Sequence, residues 1–379
     1  MPPAERTGTV LPISLSLGCG PEASATLGRA ARDLDAALVL LFSANGHQTD
    51  TLCGGVRAAL PADCELISCC SAGTFHHAGY LTDGTVAVIF PRASFRTRIV
   101  QLRDLSRHAV TEWIETLRQA EAAFAPRPGH NAFGLLLTGA AGGLEEVVMA
   151  TLDAALGGLN VVGGTIGDLD SGTGCLMLNG QRLHDTALLC LAETDLAVQT
   201  VVFSHFTPTA QRMVVTEMSD NEHTILRLND EPAAEEYARL IGVDRAALDP
   251  VIFASHPLLL RLADTYHVRA IAAARPDGGL ELMSAVENGT LLTLGEANGD
   301  LDADFAAAMA GLPGDPAMVL GFDCVLRRYT VERSNHVGAL AALFERYRVA
   351  GLNTLGEQHG GMHVNQTFVG LAFLPGHAA

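Results

Sequence analysis

The sequence predicts an α/β protein of mixed sheets with flanking helices, built from repeated units in two packed modules. Three observations predict it. Short aliphatic runs alternate with helix-spaced runs along most of the chain. The order strand, helix, strand, Gly-containing loop, strand occurs three times. The 379 residues exceed one typical core, and with 48% hydrophobic and 17% charged content they can bury a large one.

Met1–Gly8 reads as a tail and Thr9–Leu17 as a first strand. Val10–Gly18 follows Arg6 like a signal peptide ending at Cys19, but it is short, contains Pro12 and has Glu5 beside its cation. Pro21–Ala37 carries Leu27, Ala30, Ala31 and Leu34 at helical spacing, with Pro21 suited to a first turn. The first copy then runs as strand Ala37–Ser43, helix Thr49–Leu60, strand Cys64–Cys70, loop Ser71–Thr82 and strand Gly84–Phe90. The second has strand Phe133–Leu137 and helix Glu145–Leu156, whose opening glutamates suit its N-terminus. Strand Asn160–Gly164 follows, and then Cys175–Leu178 and Thr186–Ala192, read as a hairpin through Asn179-Gly180. The third runs Met318–Arg327, helix His336–Tyr347, Arg348–Leu355 and Gln366–Phe373. The loops align as Cys69–Tyr80, Gly163–Gly174 and Gly351–Met362. Each has a glycine after the second strand, where positive φ or close backbone approach is needed.

Between copies two and three lies a different segment. Gln199–Phe206 and two strands within Arg212–Leu228 precede a helix Pro232–Ile241 that Asp230 would cap. Strands His256–Ala263, Tyr266–Ala273, Leu280–Ser284 and Gly289–Leu294 follow, then a helix Leu301–Ala310. The break between halves falls near Glu193–Gln199, dividing the chain into modules 9–195 and 196–379.

Composition excludes several classes. Formal net charge is −18, all 24 basic residues are arginine, and no basic run occurs, which argues against nucleic acid or an anionic membrane as partner. Without lysine there is no P-loop or Schiff-base chemistry. No apolar run reaches the roughly 18–20 residues of a membrane span, and the chain reads as cytosolic. The eight cysteines form no CxxC and sit mostly in apolar runs, as buried thiols do; Cys69-Cys70 is the place for a redox alternative.

No complete catalytic motif is present. Cys69–Gly73 nearly matches GxSxG around Ser71, but its first glycine is missing and no helix signal follows. Asp168, Asp170 and Gly172 resemble a calcium loop that lacks its terminal glutamate. His359 and His363 have a metal spacing that Gly360-Gly361 sets against a helix, and His76-His77 occupy the equivalent loop of copy one. His256, at the head of HPLLLRL, and His267, in YHVRAI, suit either a core histidine or an axial haem ligand, with His256 the candidate for the iron. Arg261 and Arg269 nearby suit haem propionates or another carboxylate. Ser71, Gly73, Gly164, Asp168, Gly356, Glu357 and Asn365 are the candidate ligand-loop residues.

Taken together, GGTIGD (163–168), LNGQRLHDTALLCLAE (178–193), NEHTILRLNDEPAAEEYARLIG (221–242), YHVRAI (266–271), ENG (287–289), LGFDCVLR (320–327) and VAGLNTLGEQ…VNQTFVGLAF (349–373) resemble the FIST-domain family over nearly the whole chain. The resemblance implies an N-terminal and a C-terminal FIST module and a cytosolic sensory role without catalysis. One bacterial branch of that family comprises nitric-oxide-sensing haemoproteins that pair with sensor histidine kinases or cyclic-di-GMP enzymes. This chain is similar to them in length. Thr74 stands where the family commonly has glutamate. The expectation is a non-enzymatic sensor with its ligand between the modules. Haem and nitric oxide come first, an amino acid or other small metabolite second. An enzyme using the Gly loops with Glu357, Asp168 or a histidine is the alternative class.

Overall fold

The structure is a computed structural model that describes residues 10–18, 20–44, 54–139, 143–167, 174–220, 222–297 and 299–377. The repetition read from the sequence is real, and larger than the motif that announced it. Each copy is edge strand, helix, leading strand, helix (two in the third copy), middle strand, hairpin, return strand. In the first copy the edge strand is Ile13–Leu17, the leading strand Ala36–Ser43, the middle strand Glu65–Cys70 and the return strand Thr85–Pro91. In the second these are Phe95–Arg103, Asn131–Gly139, Asn160–Ile166 and Thr186–Thr194. In the third they are Leu196–Phe203, Met318–Cys324, Val349–Thr354 and Phe368–His377.

Every copy forms one six-stranded sheet of the same order: edge, return, leading, middle, then a hairpin. Leading and middle strands are parallel, as their helical crossover requires. The hairpin always comes from another copy. Thr74–His76 with Gly79–Leu81, from copy one, docks on the middle strand of copy three. Cys175–Leu178 with Gln181–Leu183, from copy two, docks on copy one. Gly356–His359 with Met362–Val364, from copy three, docks on copy two. The three copies therefore exchange hairpins in a closed cycle.

The inner faces of the three sheets share one core. Phe373 of copy three meets Phe90 and Phe95 of the first two copies at 5.8 and 5.6 Å, and Phe133 at 5.7 Å between ring centroids. The leading and return strands of each copy are buried on both faces, because helices cover the outside of each sheet. The helix Val110–Phe124 shows how: Trp113, Leu117, Ala120 and Phe124 recur at helical spacing and all are buried under copy two. Residues 206–297 are an insertion between the edge strand and first helix of copy three. They form an eight-stranded sheet with two short helices and a core of their own.

Several expectations change. The loop of copy one is itself a hairpin, Thr74–His76 with Gly79–Leu81. Asn179-Gly180 does turn a hairpin, but its partner is Gln181–Leu183, while Thr186–Thr194 runs in another sheet. Met318–Arg327 is a strand only to Cys324, and Val325–Arg333 is helical. Pro232, not Asp230, precedes the helix Ala233–Ile241, and no side chain caps it. The reading of the cysteines as buried thiols holds: Cys69 and Cys70 are buried, as are the other four described cysteines. Phe95–Arg103 and Val110–Phe124 are elements that the sequence reading did not assign.

Candidate functional site

The ends of the three middle strands meet, as the alignment of the loops anticipated. Ser71 Oγ donates to the Asn353 carbonyl at 2.6 Å and accepts from the Gly167 amide at 3.2 Å. Asn353 N–H donates to the Gly73 carbonyl, and Leu355 N–H to that of Thr165. This meeting point is packed. A Cβ on Gly164 would lie 2.1 Å from Thr354 Cγ2, and one on Gly73 would lie 1.9 Å from an Arg328 nitrogen. Those glycines admit protein, not open space. Gly356 likewise lies against the His363 ring. Glu357 is fully buried and accepts from the Thr354 and Thr367 hydroxyls, both at 2.7 Å. Burial pushes its carboxyl up to about 8 against the pull of those donors. Ser71 is buried, with its hydroxyl engaged by backbone, and no helix follows it. Asp168 lies outside the described residues.

Beside this point, three segments bring polar groups into one buried junction. The helix Glu145–Leu156 of copy two supplies its first turn, and the hairpin of copy three supplies His359, His363 and Asn365. The insertion supplies His223, His267, Arg269 and Ser284. Glu146 Oε1 accepts from the Ala285 amide at 3.0 Å. Asn365 Oδ1 accepts from Ser284 Oγ at 2.6 Å and from the Ala270 amide at 3.4 Å. Gln358 Nε2 donates to Thr165 Oγ1 at 2.8 Å. His267 and His359 stand 6.4 Å apart between ring centroids. Asn365 and Ser284 are fully buried, and Arg269, His267 and His363 nearly so.

The junction is not satisfied by protein alone. Glu146 Oε2, Arg269 Nε, Asn365 Nδ2 and Gln358 Oε1 are buried with no hydrogen-bond partner. An unpaired buried polar atom costs roughly 1–3 kcal/mol, so four in one junction ask for a bound polar species. The electrostatics are mixed in sign. Burial pushes Arg269 down while the Glu146 carboxylate holds it up. Burial lowers His363, opposed by Glu146 and Glu145, and burial with the neighbouring His267 lowers His359 to about 4. Those imidazoles are therefore neutral donors and acceptors near neutral pH.

Of the residues anticipated from sequence, His267, Arg269 and Asn365 come together here, with Gly356 and Glu357 on the adjoining strand. His256 and Arg261 lie elsewhere. His256 ends the helix Pro250–Ser255, half-buried, with Nδ1 3.3 Å from the Ile252 carbonyl. Arg261 is exposed near a hairpin turn and paired with Asp264 at 3.3 Å. A porphyrin needs an apolar slot faced by an imidazole. The structure has an apolar cleft of about 580 Å³ between the insertion and the helix Val325–Arg333. No histidine lines it, and His256 is the residue after Ser255 on its wall. Sequence reasoning read Glu146 only as a helix-end charge and passed over Ser284; no local pattern marks either as facing the insertion. Among the described residues no three His, Cys, Asp or Glu side chains are grouped to hold a metal ion.

A model of the FIST N domain matches residues 37–231, and one of the FIST C domain matches residues 233–359. No curated protein matches the sequence. Among solved structures, a crystal structure of cyanuric acid hydrolase from A. caulinodans is similar at 10% identity, over 96% of this chain and 99% of that one, with a TM-score of 0.39.

Proposed function

The chain belongs to the FIST family, whose domains are associated with sensory signal transduction, and from that premise we propose that it senses a small polar metabolite bound in the buried junction. The observation that carries this reading is the set of unpartnered atoms on Glu146, Arg269, Asn365 and Gln358. A ligand bearing both an acid and a base complements them: its carboxylate meets Arg269, its ammonium meets Glu146, and the two amides orient it. An α-amino acid is the simplest such molecule. Because the junction joins copy two, copy three and the insertion, occupancy biases how those parts sit together, which is what a sensor needs. We read the protein as cytoplasmic and its output as regulation of a separate signalling enzyme, a sensor histidine kinase or a cyclic-di-GMP enzyme.

The test is thermal unfolding with each amino acid and, separately, with haemin. One amino acid class should raise the melting temperature saturably, by the equivalent of about 2.7 kcal/mol at a hundredfold excess over Kd. Arg269→Gln and Glu146→Gln should remove the response. If no amino acid responds, and haemin gives a stoichiometric Soret band that shifts with nitric oxide and is lost in His256→Ala, the haem reading replaces this one.

A further inference from the structure

The apolar cleft of about 580 Å³ stands apart from the polar junction and has its own chemistry. It runs between the helix Pro250–Ser255, the strand Ile271–Ala274 and Met283 of the insertion, and the helix Val325–Arg333 of copy three. Its size is that of a small-molecule site, and its walls are mainly hydrocarbon: Val251, Ala254, Ile271, Met283, Leu326 and Tyr329. Val251 and Tyr329, at 42% and 41% exposed, present part of that hydrocarbon wall to solvent.

The polar groups of the cleft narrow the ligand further. Three hydroxyls on the walls are already used by their own helices. Ser255 Oγ donates to the Val251 carbonyl at 2.8 Å, Thr330 Oγ1 to Leu326 at 3.1 Å and Ser334 Oγ to Val331 at 3.0 Å. Arg333 is the one charged residue of the lining. Its guanidinium lies 5.9 Å from the Tyr329 ring centroid and has no carboxylate partner among the described residues. In a chain with 42 acidic residues against 24 basic ones, this cleft is lined by no carboxylate at all. An apolar trough with a single uncommitted cation at its rim complements an apolar body that carries one anion.

We propose that this cleft is a second binding site, for an amphipathic acid such as a medium-chain or aromatic carboxylate, with its hydrocarbon against Ile271, Met283 and Leu326 and its acid on Arg333. The site does not depend on the metabolite reading of the junction. Ile271 and Met283 adjoin Ala270 and Ser284 in the chain, so one insertion hairpin borders both sites.

Calorimetric titration of the full chain with decanoate, below its micelle concentration, tests the proposal. Saturable binding at one per chain is expected. Arg333→Glu should weaken it at least tenfold, the size of one lost charge-assisted contact, and decanol should bind the parent protein no better than decanoate binds that variant. Tyr329→Ala should weaken both ligands. Both substituted side chains are exposed, so the fold is kept, and circular dichroism verifies it. Arg269→Gln should leave decanoate binding intact. The proposal is overturned by absent or unsaturable decanoate binding, by affinity unchanged in Arg333→Glu, or by loss of binding in Arg269→Gln. Self-association that Tyr329→Ala abolishes, without decanoate binding, would overturn it too by assigning the cleft to a protein contact.

Discussion

Two buried residues set opposite limbs of the pH–stability profile. Glu357 keeps its proton in the fold up to about 8, because burial outweighs its hydroxyl donors, with Asp323 nearby adding to the push. In the unfolded chain a glutamate ionises near its ordinary value of 4.5. Between those values the folded state binds more protons, so stability falls as pH rises from about 4.5 to about 8. His205 does the reverse. It is buried between Phe203 and Phe206, neither ring nitrogen has a partner, and burial beside Arg327 lowers it to about 3. The unfolded histidine takes a proton near 6.5, so this contribution is lost as pH falls from about 6.5 to about 3. Urea unfolding at pH 4, 5, 6.5 and 8 measures both. Glu357→Gln should flatten the decline toward pH 8, and His205→Leu should shallow the decline toward pH 4 without destabilising the protein at pH 7, since it removes an unsatisfied polar ring. An unchanged slope above pH 5 in Glu357→Gln would sink the first assignment. Residue types were legible in the sequence where chemistry is local: Arg269, His267 and Asn365 stood out and do meet. What faces them was not, because Glu146 reaches Ala285 across 139 positions of chain and Ser284 reaches Asn365 across 81.

At the scale of elements, close strand approach explains which glycines matter. Gly351 pairs with Gly321 across the parallel strands of copy three, and a Cβ there would lie 1.8 Å from the Gly321 carbonyl oxygen. Copy two has the same relation between Gly163 and the Leu136 carbonyl, at 2.0 Å. Backbone cannot yield as a flexible side chain does, so Gly351→Ala should cost about 3 kcal/mol or more, read as a lower denaturation midpoint at unchanged slope. A cost under about 1 kcal/mol would show that the strands separate freely. The matching position of copy one holds Ser68, paired with Leu41, so the glycine answers to local geometry and not to the repeat as such. The strands of each copy were legible because they are continuous apolar runs. Of the hairpins only the Asn179-Gly180 turn and its strand Cys175–Leu178 were legible; with strands of three or four residues held by another copy, the others have a non-local cause that leaves no periodicity. Val110–Phe124 did carry its period of 3.6 and was readable from Trp113, Leu117 and Phe124, whereas Phe95–Arg103 alternates only at Val100 and Leu102, with Phe95 on the opposite face.

At the scale of the whole molecule, the exchanged hairpins make the two family modules one folding unit. A fragment ending at residue 231 keeps copies one and two but loses the sheet that receives the hairpin Thr74–Leu81. It also loses the hairpin that covers the middle strand Asn160–Ile166. Tyr80 on that first hairpin hydrogen-bonds Asp323 at 2.5 Å, and Asp323 is the buried ion-pair partner of Arg327. The fragment should therefore melt without a sharp transition and bind anilinonaphthalene sulfonate, and adding residues 232–379 should restore cooperative melting. A monomeric fragment with a sharp melt near that of the full chain would count against this. The threefold order was legible because it repeats along the chain; its closure was not, since pairing between copies is decided in three dimensions.

The same closure sets a schedule for the protein's making. Copy one cannot place its hairpin until Val349–Thr354 exists, roughly 270 residues later. At a synthesis rate of about 5–20 residues per second, that strand pair waits on the order of 15–60 seconds with its edge uncovered. During this interval the nascent chain exposes a partly apolar strand edge to its neighbours. Slowed elongation before the last copy, or a shortage of chaperone, should lower the yield of this protein more than that of a chain whose modules close one at a time.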